Sequence, residues 1–103
     1  MRKDEIISYL PYEDPFLFVT DIDFINENGV TGHHTFSESS YFYQGHFKHR
    51  PITPGVILTE TMAQIGLVAF GMYLMNIQSK NIQDIQIGMT STEIDFFIPV
   101  FPG

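Results

Sequence analysis

A histidine and a glutamate, fourteen residues apart, are the two side chains in this sequence best suited to proton transfer. His46 follows a glycine in a segment rich in turn-forming residues, and Glu60 lies within an apolar stretch. Imidazole titrates near neutrality and serves as a base in its neutral form. A carboxyl group among apolar side chains is favoured in its protonated form and serves as an acid. The pair can therefore remove a proton from one carbon and protonate a leaving group on the next.

The residues between the pair predict the start of a helix. Thr53 is suited to cap it and Pro54 to occupy its first position, and we predict a helix running to about Asn76. Gly55 then has a backbone N–H without an intrahelical acceptor. Because glycine has no side chain, a substrate can approach this N–H closely. A backbone N–H at such a place can hold a polarised oxygen.

Gln64 follows Glu60 by four residues and shares its helix face. Its amide can orient the carboxyl, although a purely structural glutamine fits the pattern nearly as well.

These residues resemble, in order and spacing, the signature of the β-hydroxyacyl-acyl carrier protein dehydratases. The matching segments are Gly45-His46-Phe47, Arg50-Pro51-Ile52, Pro54-Gly55-Val56, Glu60 and Met62-Ala63-Gln64. Weaker similarity extends toward both ends, in Leu10-Pro11, Pro15-Phe16-Leu17, Phe96, Pro99-Val100 and Pro102-Gly103. The resemblance therefore covers nearly the whole chain.

The resemblance implies a function: dehydration of a 3-hydroxyacyl thioester on acyl carrier protein to the trans-2-enoyl thioester, in fatty-acid or polyketide and polyene synthesis. It gives His46 the role of base toward the α-proton and Glu60 that of acid toward the β-hydroxyl. It assigns the thioester carbonyl to the Gly55 N–H and places Phe47 and Gln64 at the substrate. The elimination of water needs no cofactor.

Two departures from the family pattern concern the partner protein. The family's usual Pro-Gly after Gly-His-Phe is replaced by Lys48-His49, which creates with Arg50 a dense cationic group beside His46. We interpret Lys48 and Arg50 as a docking site for an acidic carrier protein, with a solvated surface cluster as the alternative. The family's usual His-Arg after Leu-Pro is replaced by Tyr12-Glu13.

The pattern around the motif predicts an α+β chain. An amphipathic helix is expected over Lys3–Leu10, ended by Pro11. Two strands, Phe16–Asp23 and Gly29–Phe36, flank a turn signal at residues 26–29. Further strands are predicted at Ile85–Ser91 and Glu93–Val100, after the long helix. This order suits one helix against an antiparallel sheet.

The long helix is apolar on nearly all sides, so we expect it to be buried all round. A membrane span is the competing interpretation, since about 20 apolar residues can cross a bilayer. Glu60 within the helix argues against it, because a carboxyl in hydrocarbon is costly. The resemblance implies the hotdog fold, an antiparallel sheet wrapped around one long central helix. We expect one such domain over residues 1–103, lacking the family's C-terminal strands or the larger part of them.

Composition and charge limit the partners. A net charge of −7 argues against nucleic acid, whose phosphates require a basic surface. No cysteine is present, and no apolar run typical of a signal peptide follows Met1, so we expect a cytoplasmic protein. A lone domain of 103 residues buries a modest fraction of its surface, which favours a homodimer or a higher even oligomer.

The remaining histidines do not suggest a metal site. His33 and His34 are adjacent, and neighbouring residues on a strand point to opposite faces. We expect no metal. Two alternatives to a dehydratase remain at this point: a hotdog acyl thioesterase, and a non-catalytic acyl-binding subunit of a heterodimer.

Overall fold

A computed structural model describes residues 2–78 and 87–103 of the chain. Helix α1 (Lys3–Tyr9) is followed by strands β1 (Asp21–Asn26) and β2 (Gly29–His33) and a 3-10 helix (Tyr41–Gln44). A long helix then begins with α2 (Gly55–Ala63), passes through a π-helical segment (Gln64–Ala69) and ends with α3 (Phe70–Ile77). The described residues are thus α+β, with a two-stranded antiparallel sheet and one long helix.

The hairpin forms where the turn signal predicts it. Asn26 pairs with Gly29, and the Asn26 side chain accepts a hydrogen bond from the Asn28 N–H at 2.8 Å. The register shifts between Ile22 and Phe24, and beyond this irregularity Asp21 pairs with His33 at the other end of the hairpin. The predicted turn is therefore confirmed.

The first predicted strand begins and ends too early, since β1 is Asp21–Asn26 rather than Phe16–Asp23. Residues 16–20 are not in a strand, because the Phe16 carbonyl and the Phe18 N–H are bonded by the Gln64 side chain rather than by a neighbouring strand. The second strand ends at His33, before the predicted Phe36, whose carbonyl accepts a bond from the Gly103 N–H. Both predicted strands were too long because their bounds were drawn from apolar composition alone.

The later strand predictions also need correction. The predicted strand Ile85–Ser91 lies partly outside the described residues, and its described part, residues 87–91, is not a strand. The predicted strand Glu93–Val100 is wrong, since no residue of that range is in a strand. The segment is tied instead to residues 41–54, the motif loop, by the Thr53 N–H donating to the Val100 carbonyl at 2.8 Å.

Two groups of buried side chains hold these elements together. In the first, α1 and β1 pack on the second half of the long helix, through Ile6, Leu10, Val19, Ile22, Val68, Ala69 and Met72. In the second, the residues before β1 and after β2 pack on the motif loop and α2, through Phe18, Phe36, Tyr43 and Ile57. The amphipathic character predicted for α1 is confirmed, because Ile6 and Leu10 are both buried.

The expectation that the long helix is buried all round is wrong for the described residues. Val56 is 76% exposed, and Met62 and Leu67 are also exposed. The reason is geometric: a sheet of two strands covers one side of a helix and cannot surround it. By length and composition, the 23 residues Gly55–Ile77 could also cross a membrane, a test that core helices of soluble proteins pass as well. The buried Val68, Ala69 and Met72 favour a core helix.

Candidate active site

The loop before the long helix holds His46 in one orientation. The His46 N–H donates to the Phe42 carbonyl at 3.1 Å, and the His46 carbonyl accepts from the Ile52 N–H at 2.9 Å. The imidazole Nδ1 lies 2.8 Å from the Ile52 carbonyl oxygen. Because a carbonyl can only accept, Nδ1 must carry the proton. In the neutral ring, Nε2 is therefore the unprotonated nitrogen and is available as a base.

The loop is anchored to the protein by a buried pair of hydroxyls. Tyr43 and Thr53 are buried, and their hydroxyl groups are hydrogen-bonded to each other. The predicted helix cap at Thr53 is therefore wrong, since its hydroxyl is engaged with Tyr43. The capping residue is Pro54, without a side-chain cap, and the helix begins one residue later than predicted, at Gly55.

Gly55 and His46 line the same cavity. Its volume is about 360 Å³, and its other walls include Leu58, Phe96 and Val100. Gly55 is the first residue of α2, so its N–H has no intrahelical acceptor. A Cβ atom at this position would lie 3.2 Å from the Phe96 ring. The cavity is thus lined by a histidine and by the first residue of a helix, within mainly apolar walls.

Phe47 lies at the edge of this site. Its ring stacks on the His46 imidazole, with centroids 3.8 Å apart, and it is 52% exposed. It therefore limits how the imidazole can rotate, whereas sequence reasoning placed it only at the substrate wall.

Glu60 does not line the cavity that contains His46. Its carboxylate accepts a hydrogen bond from the Gln64 amide nitrogen at 2.9 Å. Gln64 is completely buried, and its amide also bonds Phe16 and Phe18 of the segment before β1. The side chain that orients Glu60 is thus itself fixed by the fold. Within one chain, His46 and Glu60 therefore have separate surroundings.

Tyr12 is a polar neighbour of Glu60 that the sequence did not indicate. Burial, and secondly the Glu60 carboxylate, raises the pKa of the Tyr12 hydroxyl. The phenol therefore stays protonated near neutral pH. In the sequence, Tyr12 was notable only because it replaces the histidine that the family usually has at this place.

The aromatic and apolar residues near the motif divide between core and cavity. Tyr43 belongs to the core, and Tyr41 is half-exposed. Met62 and Ile65 line a second cavity of about 420 Å³, which shares Leu58, Phe96 and Val100 with the first. The second cavity therefore continues the first along the helix.

His33 and His34 have different neighbours. Hydrogen bonding to Asp23, at 2.9 Å, and the charge of that carboxylate raise the pKa of His33. Burial beside Phe18 and Phe36 lowers the pKa of His34, whose Nδ1 lies 3.0 Å from the Thr20 hydroxyl. Across residues 2–78 and 87–103, no group of three or more His, Cys, Asp or Glu side chains could hold a metal ion.

Comparison with known proteins extends these observations. The family model of the FabA-like domain matches residues 10–103. The 3-hydroxyacyl-[acyl-carrier-protein] dehydratase FabZ of Acinetobacter baylyi is 42% identical over 71 residues, 68% of this chain and 48% of that protein. The proteins of the same name from Clostridium perfringens and Petrotoga mobilis are 38% and 34% identical, over 67% and 86% of this chain and 50% and 61% of theirs.

The chain spans about half the length of several of the curated relatives that it matches. The matched region nevertheless includes the motif loop, the long helix and the hairpin, and it confirms the family resemblance indicated by the motif. This chain belongs to the FabA-like domain family.

Proposed function

We propose that this protein is a hydro-lyase, which dehydrates a 3-hydroxyacyl thioester to the trans-2-enoyl thioester. The observation that supports this most directly is the cavity shared by the His46 imidazole and the Gly55 N–H. The relatives are named as dehydratases acting on acyl carrier protein substrates. We accordingly propose acyl carrier protein as the partner, fatty-acid synthesis as the pathway class and the cytoplasm as the location.

The reaction follows from the properties of the cavity. The Gly55 N–H donates to the thioester carbonyl oxygen and stabilises negative charge that develops there. Nε2 of His46 takes the α-proton, and the electron pair forms the α–β double bond. The β-hydroxyl leaves as water after receiving the proton of Glu60. Gln64 holds the Glu60 carboxyl in position, and no cofactor takes part.

We propose that Glu60 reaches this cavity from a second copy of the chain, in a homodimer or a higher even oligomer. Glu60 does not line the cavity of its own chain. The exposed apolar side chains nearby, Val56, Phe97 and Ile98, are between 76% and 89% exposed and favour association. This arrangement suits the hotdog fold, whose sheet wraps the long helix, and we propose that fold for the single domain of residues 1–103.

A substrate panel tests the proposed reaction. Purified protein should convert 3-hydroxyacyl thioesters of several lengths to products with enoyl thioester absorbance, without release of free thiol. Release of free thiol instead would identify the alternative, a hotdog thioesterase. Binding of acyl thioesters without either product would identify a non-catalytic subunit.

Gly55→Ala should lower kcat/KM for dehydration by about 10²-fold. A substrate displaced by about 1 Å from the catalytic groups reacts more slowly by a factor of that order. The added Cβ would lie 3.2 Å from the Phe96 ring, a contact tight enough that the neighbouring atoms must shift, and it would narrow the space for the thioester. Steady-state kinetics measure the effect. Gly66→Ala is the matched control, since nothing lies within 4 Å of a Cβ at that position of the same helix. Equal activity of the two variants would contradict the role of Gly55.

A further inference from the structure

A third cavity lies on the outer side of the motif loop and has no part in the reaction above. It measures about 380 Å³ and lies between residues 38–44 and the loop residues 47–51. Its polar walls are Glu38, Ser39, Ser40, Gln44, His49 and Arg50. We call it the outer cleft. It combines cationic groups, hydroxyls and an amide, the groups that recognise phosphate oxygens.

A tight turn presents the cations of this loop. The Phe47 N–H donates to the Arg50 carbonyl at 2.8 Å, and the Arg50 N–H donates to the Phe47 carbonyl at 2.9 Å. His49, within the turn, has φ of 62°, a left-handed conformation that favours glycine. Arg50 and His49 line the cleft, whereas Lys48 does not. Lys48 and Arg50, the two strongest cations of the loop, therefore have different surroundings and can be tested separately.

Arg50 has no internal counter-ion within residues 2–78 and 87–103. The salt bridges there join Arg2 to acidic residues of α1, and His33 to Asp23. Glu38 lines the same cleft without forming a salt bridge to Arg50. In a chain with a net charge of −7, no acidic side chain of residues 2–78 and 87–103 neutralises this guanidinium, which suits it to an external anion.

The outer cleft lies next to the reaction cavity. His46 lines the reaction cavity and Phe47 lines the cleft, and the two rings are stacked with centroids 3.8 Å apart. A ligand with a phosphate in the cleft can therefore cross the exposed Phe47 edge and bring its other end to the imidazole. The prosthetic arm of a carrier protein has this form, with a phosphodiester at one end and the thioester at the other.

We propose that the outer cleft is the phosphate subsite for the substrate's phosphopantetheine arm, with Arg50 as its main ligand. This inference rests on the proposed function and assigns different roles to the two cations. Arg50 binds the phosphate of the arm, Ser39 and Gln44 donate further hydrogen bonds, and Lys48 faces the acidic surface of the carrier protein. Glu38 opposes phosphate binding by its charge.

Calorimetric titration at low ionic strength tests the subsite without turnover. Phosphopantetheine should bind about tenfold more tightly than pantetheine, as expected for a charge-assisted Arg–phosphate pair. Arg50→Gln should remove this difference, and Glu38→Gln should increase it. Added salt should weaken phosphopantetheine binding and leave pantetheine binding nearly unchanged. Inorganic phosphate alone should bind weakly and compete with phosphopantetheine only.

Lys48→Gln is the matched control in the same turn. It should leave phosphopantetheine binding unchanged and weaken only the binding of the intact carrier protein. Arg50→Lys keeps the positive charge and loses the planar guanidinium donors. It should retain part of the preference for phosphopantetheine over pantetheine. Circular dichroism verifies that each variant is folded, as expected for exposed positions.

Three results would overturn the inference. The first is equal affinity of the wild type for phosphopantetheine and pantetheine. The second is an Arg50→Gln variant that still binds phosphopantetheine more tightly than pantetheine. The third is a Lys48→Gln variant that loses this difference in affinity as completely as Arg50→Gln is expected to. The proposed function fails separately, if the protein binds phosphopantetheine through Arg50 but dehydrates no thioester. Conversely, if thioesters are dehydrated normally and neither binding nor turnover depends on Arg50, the proposed phosphate subsite is wrong and the proposed reaction still holds.

Discussion

His46→Ala and Glu60→Gln should each reduce the turnover of a 3-hydroxyacyl thioester by about 10²–10⁴-fold, the usual contribution of a general base or acid. The His46 ring is held by the Ile52 carbonyl, so its Nε2 is the proposed base, and alanine removes that nitrogen. Glutamine keeps the shape of Glu60 and the contact with Gln64 but has no acidic proton. The double variant should be little worse than either single variant, because both groups act in one elimination.

Enoyl thioester absorbance measures this loss, with circular dichroism to verify folding. Glu27→Gln is a suitable control, since that carboxyl is exposed in the turn between β1 and β2. It should retain nearly full turnover. A folded Glu60→Gln protein with near-normal turnover would contradict the assignment of the acid.

Gln64→Leu should have the largest effect on stability, lowering the free energy of unfolding by about 2–5 kcal/mol. Each unsatisfied buried polar group costs roughly 1–3 kcal/mol. The Gln64 amide is fully buried and bonds the Phe18 N–H at 2.8 Å, the Phe16 carbonyl at 3.0 Å and the Glu60 carboxylate at 2.9 Å. Leucine has a similar volume and leaves two backbone groups and the carboxylate without this partner.

Urea unfolding followed by circular dichroism measures the change. Thr61→Val, on the same helix, is the control, since the Thr61 hydroxyl bonds only the Ile57 carbonyl of its own helix. The control should change the free energy of unfolding by less than about 1 kcal/mol, as for most partly exposed substitutions. A Gln64→Leu loss as small as that of the control would contradict the structural role assigned to Gln64.

The elements with strong local signals could be predicted from the sequence. The turn between Asn26 and Gly29, the end of α1 near Pro11 and the start of the long helix beside Pro54 lie within about one residue of their predicted places. Each depends on backbone preferences of the residues themselves. The family was also predictable, because the spacing of Gly45-His46-Phe47, Gly55 and Glu60 is long and specific.

Features that depend on distant contacts could not be predicted. The Phe16–Phe18 segment has strand-like composition, but its backbone is bonded by Gln64, 46 residues away from Phe18. The predicted strand Glu93–Val100 has no strand partner among the described residues. The tautomer of His46 depends on the Ile52 backbone carbonyl, which side-chain types do not reveal. Composition likewise did not indicate that Phe96 covers Gly55.

If His46 of one chain and Glu60 of another form one active site, a mixture of two inactive variants should regain activity. His46→Ala and Glu60→Gln proteins are combined under conditions in which subunits exchange, and mixed dimers are verified by mass. Half of the randomly exchanged dimers are mixed, and each has one intact site of two, so activity should recover to roughly a quarter of wild type by two-fold symmetry. Verified mixed dimers that remain inactive would contradict a shared site and place both groups within one chain.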